Sequence, residues 1–109
     1  MPAVVARPEL WQIVDMIDIL LHVLGAVAIQ ALGMGALVVA HAPAWAAGII
    51  VAVANIAFWF AREALQAWGR ITRDGQSHAP ANLWRRINHP EWLCVVPVAA
   101  IGVIVGAVL

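Results

Sequence analysis

The sequence has few charged residues, and this shortage excludes several classes of protein. Only 11% of its 109 residues are charged, 64% are hydrophobic, and the formal net charge is zero. Soluble domains carry roughly a quarter charged residues, and a domain this short could not hide so much apolar surface from water. Nucleic acid is not an expected partner, because phosphate binding needs an excess of basic residues. We therefore expect an integral membrane protein whose partner is the lipid bilayer, with a single domain over residues 1–109.

Cysteine and catalytic motifs are also scarce. A single cysteine, Cys94, excludes an internal disulfide and a multi-cysteine metal site. No phosphate-binding loop, no HxxxH or CxxC spacing and no serine–histidine–acid set is present. The four histidines raise the alternative of a haem or pigment ligand, but only His22 and His89 would share a level in the membrane. We expect no enzymatic activity, no catalytic residues, no cofactor and no metal.

Three apolar runs predict an all-α fold with three transmembrane helices. The spans are expected at about 19–41, 43–62 and 92–109, each long enough to cross a bilayer. The acidic flank before the first run argues against a cleaved signal peptide. Pro43, in the short stretch His41–Ala44, suits the first turn of a new helix, so the first two spans should form a tight antiparallel hairpin.

The segment 63–91 is predicted to be an amphipathic connector to the third span. The second helix should continue to about Arg73, and a surface loop should follow over 74–80. A short helix, Leu83–Asn88, should then be capped by Asn82. Pro97 should kink the third span.

The arginines predict how the chain is oriented. Five of the six lie between the second and third spans, and basic residues collect on the cytoplasmic side. We therefore expect a multi-pass protein of the bacterial inner membrane, with a cytoplasmic connector and a cytoplasmic N-terminus. These five residues are Arg62, Arg70, Arg73, Arg85 and Arg86.

A polar stripe is predicted on the second helix. Arg62, Gln66 and Arg73 each fall within about 20° of the direction of Asn55 at 100° per residue. Gln30 lies about as far before the hairpin turn as Asn55 lies after it, so the two should meet. Their contact is either a hydrogen bond between helices, worth roughly 0.6 kcal/mol, or part of a pore lining. We favour the hydrogen bond, because one amide pair is a thin lining for a channel.

Counting residues outward from the hairpin turn in the same way also pairs charged residues near the connector, because residues equally far from the turn lie at the same depth. Asp15, Asp18 and His22 recur at i, i+3 and i+7, so all three can face the second helix. An unpaired arginine inside the hydrocarbon edge is costly, which predicts that Asp18 pairs with Arg62 and locks the hairpin. Glu63 points about 100° away from Arg62.

Two further contacts are predicted. Glu63, together with Gln66, should contact a neighbouring helix or other chains. Gly102 and Gly106 form a GxxxG pattern, which permits close helix packing within or between subunits.

The chain resembles small phage-encoded membrane proteins of the holin type. The resemblance covers the whole chain in hydropathy, and in residues it covers about 55–73, including the sequence REALQ at 62–66. It implies a protein that forms homo-oligomers in the cytoplasmic membrane of an infected bacterium and opens it during phage lysis. The alternative is a small accessory subunit packed against a larger respiratory or photosynthetic membrane complex. Toxicity on expression alone would separate these hypotheses, because an accessory subunit should be inert without its partner.

Overall fold

The computed structural model describes residues 8–109, which form five helices and no strands. Three stretches are long and apolar enough to cross a membrane: Leu10–Val39, Ala44–Arg73 and His89–Val108. This confirms the predicted all-α protein with three spans. The helices are α1 (Pro8–Val39), α2 (Ala44–Arg73), α3 (Pro80–Arg86), α4 (His89–Leu93) and α5 (Val95–Val108).

The hairpin turn between α1 and α2 is as short as predicted, and a specific backbone motif closes it. His41 has a positive φ of 71°. Its N–H donates to the carbonyl of Val38 (2.9 Å), and the N–H of Ala42 donates to that of Leu37 (2.9 Å). These two bonds are the Schellman pattern that commonly ends helices. Pro43 then directly precedes α2, so the two long helices must run antiparallel.

Both arms of the hairpin are longer than the expected spans. The predicted lead-in and first span are one continuous helix that begins at Pro8. The second helix runs to Arg73 as predicted, and Gly75 (φ 67°) then ends it.

The connector differs from the prediction in its details. The short helix is Pro80–Arg86 rather than Leu83–Asn88. Asn82 therefore lies inside it and does not cap it; its side chain donates to the carbonyl of Ser77 (3.0 Å). The third span is interrupted at Cys94, between α4 and α5. Pro97 explains the place of this break, because it has no N–H to bond the carbonyl four residues earlier.

The core of the hairpin follows every fourth residue on both long helices. Rows of side chains spaced by four pack together when two helices cross with a right-handed twist. The buried row on α1 is His22, Ala26, Gln30 and Met34, and that on α2 is Ala47, Val51, Asn55, Glu63, Ala67 and Ile71, with Trp59 half-buried in the same row.

Glycines bring α5 against α2. A β-carbon on Gly48 would lie 2.9 Å from the carbonyl oxygen of Gly102, and one on Gly106 would lie 2.6 Å from that of Ala44. The predicted GxxxG face therefore packs inside the chain, against its own hairpin. Only residues without a β-carbon allow this approach of two backbones.

Candidate functional site

A line of hydrogen bonds, here called the polar seam (Gln30, Asn55 and Trp59), runs through the membrane-embedded part of the bundle. The predicted contact between Gln30 and Asn55 is present, with the Asn55 amide donating to Gln30 Oε1 (3.2 Å) and also to the Ala26 carbonyl (2.8 Å). Gln30 Nε2 donates to the carbonyl of Gly48 (3.3 Å). Both amides are buried among the three spans, so the polar seam stabilises the packing of the helices within one chain.

Trp59 connects the polar seam to a group of charged residues. Its indole N–H donates to Asn55 Oδ1 (3.1 Å), and its ring centroid lies 4.8 Å from that of His22. A β-carbon on Gly25 would come within 2.9 Å of the indole ring. A glycine is therefore needed at this position of α1 for Trp59 to reach His22.

Four side chains form what we call the charged cluster: His22, Arg62, Glu63 and Glu91. Nε2 of His22 lies 3.1 Å from Glu63 Oε1 and 3.7 Å from Glu91 Oε2. The guanidinium of Arg62 donates to His22 Nε2 (3.2 Å) and to Glu63 Oε1 (3.2 Å). The cluster therefore joins α1, α2 and α4 at the connector end of the bundle.

A backbone hydrogen bond fixes which way His22 faces. Its Nδ1 lies 2.6 Å from the carbonyl oxygen of Asp18, which can only accept, so Nδ1 carries a proton. In the neutral ring, Nε2 then presents a lone pair to the other members of the cluster. Nε2 has both an acceptor, Glu63 Oε1, and a donor, Arg62, within 3.2 Å. With Glu63 ionised, one of these two contacts is mismatched whichever charge His22 carries.

Burial makes this mismatch costly. The Glu63 side chain is fully buried, His22 is 9% exposed and Glu91 is 17% exposed, whereas the Arg62 side chain is 43% exposed. Glu63 Oε2 finds no hydrogen-bond partner among the described residues. A buried polar atom without a partner costs about 1–3 kcal/mol, and more when it is charged. Such an atom needs an explanation in a native structure.

The predicted lock between Asp18 and Arg62 is wrong. Within residues 8–109, no ion pair joins these two side chains, and Arg62 contacts His22 and Glu63 instead. Glu63 is predicted to contact either a neighbouring helix or other chains. It contacts His22 on α1. Because its side chain is completely buried, it leaves no surface for another chain. The cause is that the buried residues of α2 recur every four positions. Glu63 is eight residues after Asn55 and therefore lies in the same buried row, whereas Arg62 does not.

The remaining predicted residues lie at the edge of the bundle. Asp15 is exposed and lines a cavity of about 250 Å³ together with Ile19, Asn88 and Glu91. Gln66 is exposed, as is Arg73 at the end of α2. The structure therefore brings together only His22, Arg62 and Glu63 of the predicted charged residues.

Two members of the arrangement were missed at the sequence level, Glu91 and Trp59. Glu91 comes directly before the third apolar run. The connector joins the end of α2 to the start of that run, so both lie at the same face of the membrane. Depth alone therefore places Glu91 level with His22, and this signal could have identified it. Nothing comparable marks Trp59 as a hydrogen-bond donor in the polar seam.

A groove between α1 and α5 is the second feature of the surface. Two adjoining apolar cavities, of about 290 and 310 Å³, share Ala31, Met34 and Val105 as lining residues. Gly35 also lines the groove, and a β-carbon there would meet nothing within 4 Å. Contacts within the described chain therefore do not require a glycine at this position.

Neither the polar seam nor the charged cluster is explained by a known relative, because no family model, no curated protein and no solved structure matches the chain.

Proposed function

We propose that the protein associates with copies of itself in the bacterial inner membrane and permeabilises that membrane, in the manner of a holin. In this proposal the N-terminus and the connector face the cytoplasm, because the arginines lie on that side. The proposal is supported by the chain's small size, its three spans and its weak resemblance to holins over residues 55–73. One structural observation carries the self-association: the α1–α5 groove.

The groove is suited to a helix from another copy. Lipid tails are as apolar as the side chains of a helix, so the hydrophobic effect does not drive helices together inside a membrane. Helices there associate through close packing at small residues instead. Ala31 and Gly35 lie four residues apart on the α1 side of the groove, and no side chain of the described residues fills the space above Gly35. Gln30 of the polar seam also lines the groove, but it is only 4% exposed and its amide is hydrogen-bonded within the chain, so a copy can dock with little desolvation of polar groups.

The test combines expression in a bacterium with a matched pair of variants. The wild-type chain should depolarise the cytoplasmic membrane, as read by a potential-sensitive dye, and should migrate as an oligomer in mild detergent. Gly35→Leu fills the groove and should reduce both signals. Gly69→Leu is the control, because Gly69 also has open space around its β-carbon but lies outside the groove. A monomeric wild-type chain that leaves the potential intact would contradict the proposal.

A monomeric chain that leaves the membrane potential intact would favour the alternative function, an accessory subunit of a larger membrane complex. Several tryptophans are exposed, among them Trp11, Trp45 and Trp84. In a larger complex these side chains would be covered by another subunit, whereas in a homo-oligomer they would anchor the spans at the membrane surfaces.

A further inference from the structure

We propose that the charged cluster binds one divalent transition-metal ion through His22, Glu63 and Glu91. This inference goes beyond the proposed membrane permeabilisation and does not depend on it. The three side chains each offer a ligand atom, and these atoms all lie within 4.8 Å of one another. They come from α1, α2 and α4, so the site exists only in the folded chain.

The distances are close to those of a coordinated ion. Zinc binds imidazole nitrogen and carboxylate oxygen at about 2.0–2.2 Å, so two ligands of a tetrahedral site lie about 3.4 Å apart. The Nε2 atom of His22 lies 3.1 Å from Glu63 and 3.7 Å from Glu91. The longest separation, up to 4.8 Å, requires side-chain shifts of up to about 1.4 Å. Glu91 can make such a shift, because it borders a cavity.

His22 is oriented as metal-binding histidines are. Such residues almost always donate their second ring N–H to a carboxylate or a backbone carbonyl, which fixes the tautomer and aims the free nitrogen at the ion. The 2.6 Å contact from Nδ1 to the Asp18 carbonyl is this bond. It leaves the Nε2 lone pair pointing at the two carboxylates.

The unpartnered oxygen of Glu63 is an independent sign of a missing ligand. Glu63 is fully buried, and its Oε2 atom has no hydrogen-bond partner among the described residues. An ion bound by both carboxylate oxygens of Glu63 and by His22 Nε2 would give Oε2 a partner. It would also turn the mismatched contact between Nε2 and Oε1 into two bonds to the same cation. Arg62, whose side chain is 43% exposed, would then turn toward the lipid head groups.

The donor set indicates the kind of ion. One imidazole and two carboxylates suit borderline ions such as Zn²⁺ or Fe²⁺, whereas Mg²⁺ and Ca²⁺ prefer oxygen ligands alone. Two carboxylates neutralise a divalent charge, which lowers the cost of holding it near the hydrocarbon. The cavity of about 250 Å³ reaches Glu91 from the connector side, and Asp15 in its lining would attract a cation. The ion therefore has an access path.

Zinc binding to the full-length chain tests the proposal directly. The purified protein, in detergent and without a polyhistidine tag, should retain one Zn²⁺ per chain after dialysis, and excess Mg²⁺ should not displace it. Glu63→Gln and Glu91→Gln keep the side-chain shapes and should each weaken zinc affinity by at least about tenfold. Asp74→Asn is the matched control, because Asp74 pairs with Arg86 outside the cluster. It should bind zinc as the wild type does.

X-ray absorption of the zinc-loaded wild type decides the outcome even where a variant fails to fold. The expected spectrum shows a first shell of at least three nitrogen or oxygen atoms and the multiple-scattering signal of one imidazole. The signal of two or more imidazoles would show that exposed histidines such as His78 hold the zinc, and would overturn the proposal. Zinc lost on dialysis, or zinc retained equally by Glu63→Gln and Glu91→Gln, would overturn it too. The cluster would then be an ion-pair network only.

Discussion

Gly102 and Gln30 should be strongly coupled in their effect on stability. A β-carbon on Gly102 would lie 2.2 Å from the Gln30 side-chain nitrogen and 2.4 Å from its amide carbon. Gly102→Ala must therefore push the Gln30 amide away from Asn55 and from the Gly48 carbonyl. Two interhelical hydrogen bonds at roughly 0.6 kcal/mol each, about 1.2 kcal/mol together, would be lost, and overpacking adds about 1–3 kcal/mol. We expect Gly102→Ala to lower the free energy of unfolding by about 2–4 kcal/mol.

The test is a double-mutant cycle. In a Gln30→Ala background, the side chain that blocks the new methyl group is absent, so Gly102→Ala should cost almost nothing. The higher helix propensity of alanine is the same in both backgrounds and cancels from the cycle. Unfolding free energies can be measured in bilayers or micelles by steric trapping or by titration with a denaturing detergent. The coupling energy should be about 2–4 kcal/mol.

Gly106→Ala serves as the comparison. A β-carbon at Gly106 meets the Ala44 carbonyl oxygen at 2.6 Å and the Gly48 α-carbon at 3.2 Å, and backbone cannot turn away as a glutamine can. Gln30→Ala should therefore not rescue Gly106→Ala. The reasoning fails if Gly102→Ala costs as much without Gln30 as with it, because the Gln30 amide would then not be the obstacle.

Three more predictions concern the turn, the orientation and the connector. His41→Gly should raise the free energy of unfolding by about 1 kcal/mol, since a left-handed conformation costs a residue with a β-carbon roughly 1–2 kcal/mol; an unchanged value would argue against the positive φ. Ser77→Cys should be labelled by an impermeant thiol reagent only after intact cells are opened, and labelling from outside would invert the proposed orientation. Arg86→Ala should speed proteolysis at 74–79, because Arg86 holds Asp74 (2.7 Å), yet it should change stability by less than about 1 kcal/mol; equal proteolysis rates would show that this pair does not hold the loop.

The fold could be predicted because hydrophobicity and chain geometry dominate it. Uncharged runs of sufficient length mark the spans, and Pro43 leaves room for only a short turn. That turn fixes the register of the hairpin, so equal counting from it placed Gln30 beside Asn55 correctly. A depth argument needs only the rise per residue, which is the same in both helices.

The charged cluster could not be predicted from depth alone, because it also depends on the angle at which helices cross. Arg62 is seven residues after Asn55 and Glu63 is eight, and a left-handed crossing would bring the seventh residue inside. The residues buried between α1 and α2 recur every four positions, which is the spacing of a right-handed crossing and brings Glu63 inside instead. Counting depth along the sequence does not distinguish the two crossings, because the rise per residue is the same in both. Glu91 was missed although its depth matches that of His22, because the pairing by depth was applied only to the two arms of the hairpin.

The position of the charged cluster along α2 has a consequence for the choice of membrane. Glu63 lies nineteen residues after the first residue of α2, which is about 28 Å at 1.5 Å per residue. A hydrocarbon layer of about 27–30 Å would end at the level of these carboxylates, and a thicker one would submerge them. Hydrophobic mismatch costs fractions of a kcal/mol per Å, and buried ionic groups add to that. The chain should therefore be most stable in bilayers whose hydrocarbon layer is about 27–30 Å thick, and less stable in thicker ones.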